Sequence, residues 1–221
     1  MSGRWITFDC FGTLVDWHTG FAGILRPVAG ERTAELIQAY HEFERPLEQG
    51  RPHRLYRDVL KEGVARAAVK IGLPLSEAQK EMLPQRWGTQ PVFPDVEPAL
   101  AALRQEGWKL AVLTNCDRDL FTQTQRGFRQ EFDLIVTAEQ VCDYKPSLAH
   151  FRYFWRKSGV EKENWVHAAC SWYHDIVPAR EMGIRRIWVD RDRTDDDPAA
   201  ASRRIDSVGE LPAAVRQVRA V

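Results

Sequence analysis

Six side chains of the kinds used in hydrolytic chemistry each follow a short apolar run. Asp9 ends "WITF", Thr114 and Asn115 end "LAVL", and Ser171 and Asp175 come just after "WVHAA". Lys145 follows "LIV" after a short loop, in "DYKPSLAHF". An ionised aspartate can attack an electrophile, and an ammonium group can hold that charge in place. A second carboxylate can orient water, while a hydroxyl and an amide can grip an anionic substrate. Each residue alone has a plainer reading. An aspartate after a strand is often a turn former or a helix N-cap, Asp175 could cap the helix it opens, and Lys145 before Pro146 could be surface. Together they point to one place, because an open parallel sheet binds ligands beyond the carboxyl ends of its strands.

The elements that would position them are legible as patterns. Five apolar, β-rich runs read as buried strands: Trp5–Phe8, Leu110–Leu113, Leu134–Val136, Trp165–Ala169 and Arg186–Val189. Helical spacing marks Pro98–Gln105, Leu148–Lys157 and Ile176–Met182, each stopping at a glycine (Gly107, Gly159, Gly183), the usual residue just past a helix end. Strand–helix alternation predicts a parallel sheet covered by helices, an α/β Rossmann-like core. Residues 17–93 break the alternation. Thr33–Glu44, Leu55–Ile71 and Ser76–Arg86 read as helices with no strand between them, and Ser76 with Gln79 forms a capping-box pattern. The expected division is a core of residues 1–16 and 94–221 with an all-helical insert, 17–93, hinged at Asp16–Trp17 and Pro91–Pro94. "RDRTDDDPAAASRR" reads as a solvated surface loop.

Composition narrows the partners. Across 221 residues, 31 basic side chains balance 31 acidic ones, and 44% of residues are apolar. Balanced charge gives no broad pull on nucleic acid or on an anionic membrane. No apolar run approaches the roughly 20 residues needed to cross a bilayer, and Trp5–Phe8 is too short for a signal-peptide core. The four cysteines form no C-x-x-C pair and are expected as small buried side chains near the sheet rim, in a cytoplasmic protein.

The segments "FDCFGTLVD", "LTNCD", "YKPSLAHF" and "CSWYHDIVPAREMGI" resemble, in order, the four motifs of the haloacid dehalogenase-like hydrolase superfamily. The resemblance implies a Rossmann-like core with a mobile helical cap. It also makes Asp9 a nucleophile that forms a covalent intermediate, with Lys145 and Asp175 as its catalytic partners. Most members are magnesium-dependent phosphatases, in which a second aspartate two places after the nucleophile protonates the leaving alcohol. Here that place holds Phe11, and the acidic magnesium ligand of the fourth motif is replaced by Ser171. A hydroxyl is a poor ligand for a hard dication, so no metal is expected and a cation held by Asp9 and Asp175 would be weak.

Both departures resemble the 2-haloacid dehalogenase branch, in which the aspartate attacks carbon and halide leaves without needing a proton. The expected reaction is metal-independent hydrolysis of a short 2-haloacid through an ester on Asp9, with no cofactor. Phe11, Trp17, Tyr144, Trp172 and Tyr173 are expected in an apolar wall; Gly12 permits the tight turn; Thr13, Thr114 and Asn115 are expected to grip the substrate carboxylate. Established dehalogenases receive the halide on an arginine of the second cap helix; a loose alignment puts His41 there, with Arg45, Arg51 and Arg54 nearby but not at the matching place. Their fourth motif carries a serine and an asparagine where this chain has Cys170 and Trp172, with Ser171 and His174 beside them as substrate contacts. Related dehalogenases suggest a homodimer. The alternatives are a hydrolase acting on another electrophile, such as a strained-ring acid or a phosphate ester, and a non-catalytic small-acid-binding protein.

Overall fold

The computed structural model describes residues 3–219. Six strands, β1 (Arg4–Phe8), β2 (Trp108–Thr114), β3 (Leu134–Thr137), β4 (Trp165–Ala169), β5 (Arg185–Val189) and β6 (Arg203–Ile205), form one sheet. All pair in parallel, in the order β3-β2-β1-β4-β5-β6. The helices are α1 (Trp17–Ala29), α2 (Thr33–Gln49), α3 (Tyr56–Lys70), α4 (Glu77–Lys80), α5 (Met82–Arg86) and α6 (Val96–Gln105), then α7 (Arg118–Gln125), α8 (Ala138–Val141), α9 (Ala149–Ser158), α10 (Val177–Glu181) and α11 (Leu211–Arg219). Among the described residues no helix is long and apolar enough to cross a membrane.

The five expected strands form because helices cover both sheet faces, so near-continuous apolar runs are buried; Ile6, Phe8, Leu110, Val112, Ala168 and Ile187 are inaccessible. With every strand pointing the same way, Asp9, Asn115 and Cys170 emerge at one rim. The chain order reverses between β1 and β4, which sets the crevice beside Asp9. The sixth strand corrects the sequence reading. Arg203 and Arg204 belong to β6, paired with β5, rather than to a solvated loop. A three-residue edge strand with one buried residue, Ile205, carries no periodic signal. The same stretch supplies Arg191, whose guanidinium donates to the Thr13 carbonyl at 3.1 Å and to Asp95 at 3.0 Å, bracing the loop after β1.

Between β1 and β2 the chain is helical, α1 to α6, and α1 to α5 form the insert. Helix α1 was not anticipated. Two glycines and Pro27 dilute its pattern, yet Phe21, Ile24 and Leu25 are buried, and Asp16 caps it by accepting from Thr19 N at 3.1 Å. Gly20 is required there: a Cβ would sit 2.5 Å from the Gln90 side chain. Helix α2 runs five residues beyond the expected end at Glu44, through Pro46 to Gln49. The Ser76–Gln79 capping box forms as expected. The expected Ser76–Arg86 helix is broken at Glu81 into α4 and α5. The two chain crossings into the insert run side by side, with Asp16 N donating to Pro91 O at 2.8 Å and Phe93 N to Leu14 O at 3.0 Å.

Candidate active site

The loop after β3 and α8 brings Lys145 under the sheet rim. Lys145 N donates to Asn115 Oδ1 at 2.7 Å and Asn115 Nδ2 returns to Lys145 O at 3.2 Å, so the amide fixes the lysine backbone. The ammonium is 2% exposed. It donates to Asp175 Oδ1 at 2.7 Å, Asp9 Oδ1 at 2.8 Å and the Leu113 carbonyl at 2.9 Å, one acceptor for each of its protons. Burial alone would lower its pKa; the Asp175 and Asp9 charges outweigh burial and raise it.

Asp9 is 8% exposed. Its Oδ2 accepts from Thr13 Oγ1 at 2.8 Å, and Thr13 Oγ1 accepts in turn from Cys170 N at 2.8 Å. Neither carboxylate oxygen caps a helix. Gly12 has φ +90, and a Cβ there would lie 2.8 Å from Cys170 Sγ, so the turn that returns Thr13 to Asp9 needs glycine.

Asp175 lies in a π-turn, Trp172–Ile176, capped by Ser171, whose Oγ accepts from His174 N at 3.1 Å. The Asp175 side chain therefore does not cap the helix. Its Oδ1 faces Lys145 and, at 3.1 Å, His167 Nε2. Burial would raise the Asp175 pKa, but Lys145 and His167 win and it falls below the usual range. Oδ2 is buried with no hydrogen-bond partner among the described residues.

A chain of buried groups behind this triad was missed. Trp165 Nε1 donates to Thr7 Oγ1 at 2.8 Å, and Thr7 Oγ1 lies 2.9 Å from His167 Nδ1. An ionised Asp175 only accepts, which puts a hydrogen on His167 Nε2. The available signal was a histidine and a threonine inside apolar strands, "WVHAA" and "WITF". Such residues more often satisfy a core than serve a site.

The expected substrate grips have other partners. Thr13 is spent on Asp9, Asn115 on the Lys145 backbone, and the Thr114 hydroxyl on Cys116 Sγ at 3.5 Å. Phe11 packs on Trp87 of the insert, with centroids 4.8 Å apart. Trp172 turns away, its Nε1 donating to Asp197 O at 3.0 Å. His41 packs edge-on against Trp17 at 5.0 Å and faces Glu44 at 3.4 Å. A cavity of about 210 Å³ opens over Lys145, with Arg45 and Glu48 entering from α2 and Tyr144, Tyr173 and His174 from the core side. His41 and Trp172 are not in its wall. Arg45 lies 4.4 Å over the Tyr173 ring. Glu48 is a residue that sequence reasoning left out, because it stopped α2 at Glu44. The cysteines also divide: Cys10 and Cys116 are buried and Cys170 half-buried, but Cys142 is exposed, at φ 53 on the turn after α8.

The sequence model for haloacid dehalogenase-like hydrolases matches residues 4–168. The chain belongs to this family of hydrolases. Haloacetate dehalogenase H-2 of Moraxella sp. is 24% identical over 196 residues, covering 84% of this chain and 85% of that enzyme. Phosphoserine phosphatase of Thermus thermophilus is 33% identical over 113 residues, 50% of this chain, and the match spans only 45% of that enzyme's length. The crystal structure of the L-2-haloacid dehalogenase RSc1362 superposes with a TM-score of 0.89 at 20% identity, covering 98% of this chain and all of that one (100%). At that identity the likeness shows the shared fold.

Proposed function

We propose that this chain hydrolyses short 2-haloacids without a metal, through an ester on Asp9. The observation that carries the reading is the setting of Asp9. One oxygen is paired with Lys145, the other takes the Thr13 hydroxyl, and the residue two places on is Phe11, packed at a tilt against Trp87. Such a carboxylate is paired and aimed, and the residue two places on brings no proton donor. An Asp9 oxygen displaces halide from the carbon beside the substrate carboxylate. Water then attacks the aspartyl carbonyl carbon, the hydroxy acid departs and the carboxylate is restored. Asp175 Oδ2, ionised and unpartnered, is the acceptor we assign to that water. Arg45 in the cavity wall is the cation we assign to the substrate carboxylate.

The donor set supports a metal-free reaction. Magnesium asks for near-octahedral oxygen ligation, yet Ser171 Oγ is tied to His174 and both Asp9 oxygens are hydrogen-bonded. Among the described residues no group of three or more histidine, cysteine or acidic side chains is disposed around a metal. A second reading, phosphate-ester hydrolysis, draws on the phosphatase relative and on the retained Lys145 and Asp175. Halide release from chloro-, bromo- or fluoroacetate in EDTA separates the two. Release supports the proposal; magnesium-dependent phosphatase activity with no halide from any of the three overturns it.

A further inference from the structure

The last turns of α2 carry two carboxyls four residues apart on its buried side, Glu44 and Glu48. Glu44 accepts from Tyr56 Oη at 2.7 Å and Tyr40 Oη at 3.1 Å, and His41 Nδ1 lies 3.4 Å away. Among the described residues Glu48 has one such donor, the Asn115 side chain. It is 7% exposed and forms part of the wall of the 210 Å³ cavity, facing Lys145 and His174 across it.

We propose that Glu48 is a second catalytic carboxyl, the proton donor to the departing atom, and that the site takes 2-fluoro acids, whose leaving group is a base. The proposal rests on the reading of Asp9 as the attacking carboxylate. The first motif supplies no acid at Phe11, so a leaving group that needs a proton must receive it from elsewhere, and the insert brings a carboxyl to the cavity over Lys145, whose ammonium lies 2.8 Å from Asp9 Oδ1. Burial comes first in raising the Glu48 pKa well above the carboxylate range, with the Glu44 charge adding to it. Lys145, Arg45 and an Asn115 hydrogen bond oppose without prevailing. Tyr40, Tyr56 and Tyr144 also feel its charge, and each has its own pKa raised, chiefly by burial, so none competes as an acid. The raised pKa favours the protonated form of Glu48, the form a general acid needs.

The step balances. An Asp9 oxygen forms a bond to the substrate carbon as the carbon–fluorine bond breaks; fluorine keeps the electron pair, takes the Glu48 proton and leaves as hydrogen fluoride. Water adds to the aspartyl carbon of the ester. One of its protons ends on the oxygen of the departing hydroxy acid and the other restores Glu48. Bromide leaves as a stable anion and draws little from a donor.

The test measures fluoride release from fluoroacetate and bromide release from bromoacetate, for the intact chain and for Glu48→Gln. The ratio of fluoride to bromide rate is expected to fall about 10²-fold or more in the variant; being a ratio, it is insensitive to the fraction folded. In Glu44→Gln the alkaline limb of fluoride release is expected to move to lower pH, because removing that anion lowers the Glu48 pKa. An unchanged ratio in Glu48→Gln, or a parent chain that releases bromide and no fluoride, overturns the proposal. No halide from either substrate overturns the reading of Asp9, and this proposal with it.

Discussion

Lys145 has no proton left to offer a substrate: Asp175, Asp9 and the Leu113 carbonyl take all three. It bridges the two carboxylates in a buried site and helps hold the Asp175 pKa down. Lys145→Met should abolish turnover and destabilise the fold by about 3–5 kcal/mol, the cost of leaving buried charge without its partner. The pH dependence follows from the shifts. Asp175 is depressed, so its contribution is present above about pH 3.9 and is lost as pH falls through its native value. Lys145 is raised, so its contribution holds below about pH 10.4 and is lost as pH rises through its native value. Denaturant titrations should show the Lys145→Met deficit at neutral pH and its narrowing towards about pH 4, where the unpaired carboxyls take up protons. A deficit that stays constant down to that pH would refute the charge account. Asp9, Lys145 and Asp175 were legible because strand ends are where an aspartate or lysine has few other reasons to cluster. His167 was not, since its role depends on the parallel register that sets it opposite Thr7.

At the scale of elements, the α2–α3 crossing decides the cap side of the cavity. Gly63 of α3 sits against Tyr40, and a Cβ there would approach the ring to 2.6 Å. An alanine in an exposed helix interior would gain about 1 kcal/mol over glycine. Here Gly63→Ala should instead lower the melting temperature, because Tyr40 is a fully buried ring that donates to Glu44. Glu48 gives a second test on the same helix. Its native pKa is raised, so above about pH 4.3 the unfolded chain releases that proton first and stability falls with rising pH. Glu48→Gln should therefore gain on the parent in melting temperature as pH rises above about 4.3; no gain would mean the carboxyl ionises normally. The full length of α2 was not legible, because Pro46 is a local stop signal that tertiary packing overrides. Leu47 and Glu48 are buried beyond it.

Across the whole molecule, core and insert are joined by charged contacts beside the cavity. Asp117, at the rim after β2, is fully buried and accepts from Tyr56 N at 2.7 Å, Arg57 N at 2.9 Å and Arg57 Nε at 3.1 Å. A core carboxylate thus caps α3, where the helix dipole favours negative charge. Arg51 pairs with Asp143 at 2.7 Å, and Tyr144 Oη donates to Arg54 O at 2.7 Å. Asp117→Ala should cost about 0.5–2 kcal/mol, as for a lost cap, and should raise KM, because α2 and α3 pack together and α2 carries Arg45 and Glu48 into the cavity. Unchanged KM at lowered stability would confine Asp117 to a structural part. The parallel core was readable from alternating strands and helices. The contacts between core and insert were not, since they join residues far apart in the chain.

In the proposed reaction Asp9 becomes an ester in each cycle. Mass spectrometry after a single turnover of a 2-haloacid in heavy-oxygen water, with enzyme in excess, tests it most directly. An ester on Asp9 puts heavy oxygen in the Asp9 carboxylate and none in the hydroxyl of the first hydroxy acid released. Label in that hydroxyl, with Asp9 unlabelled, would contradict it and mean that water attacks the substrate carbon itself.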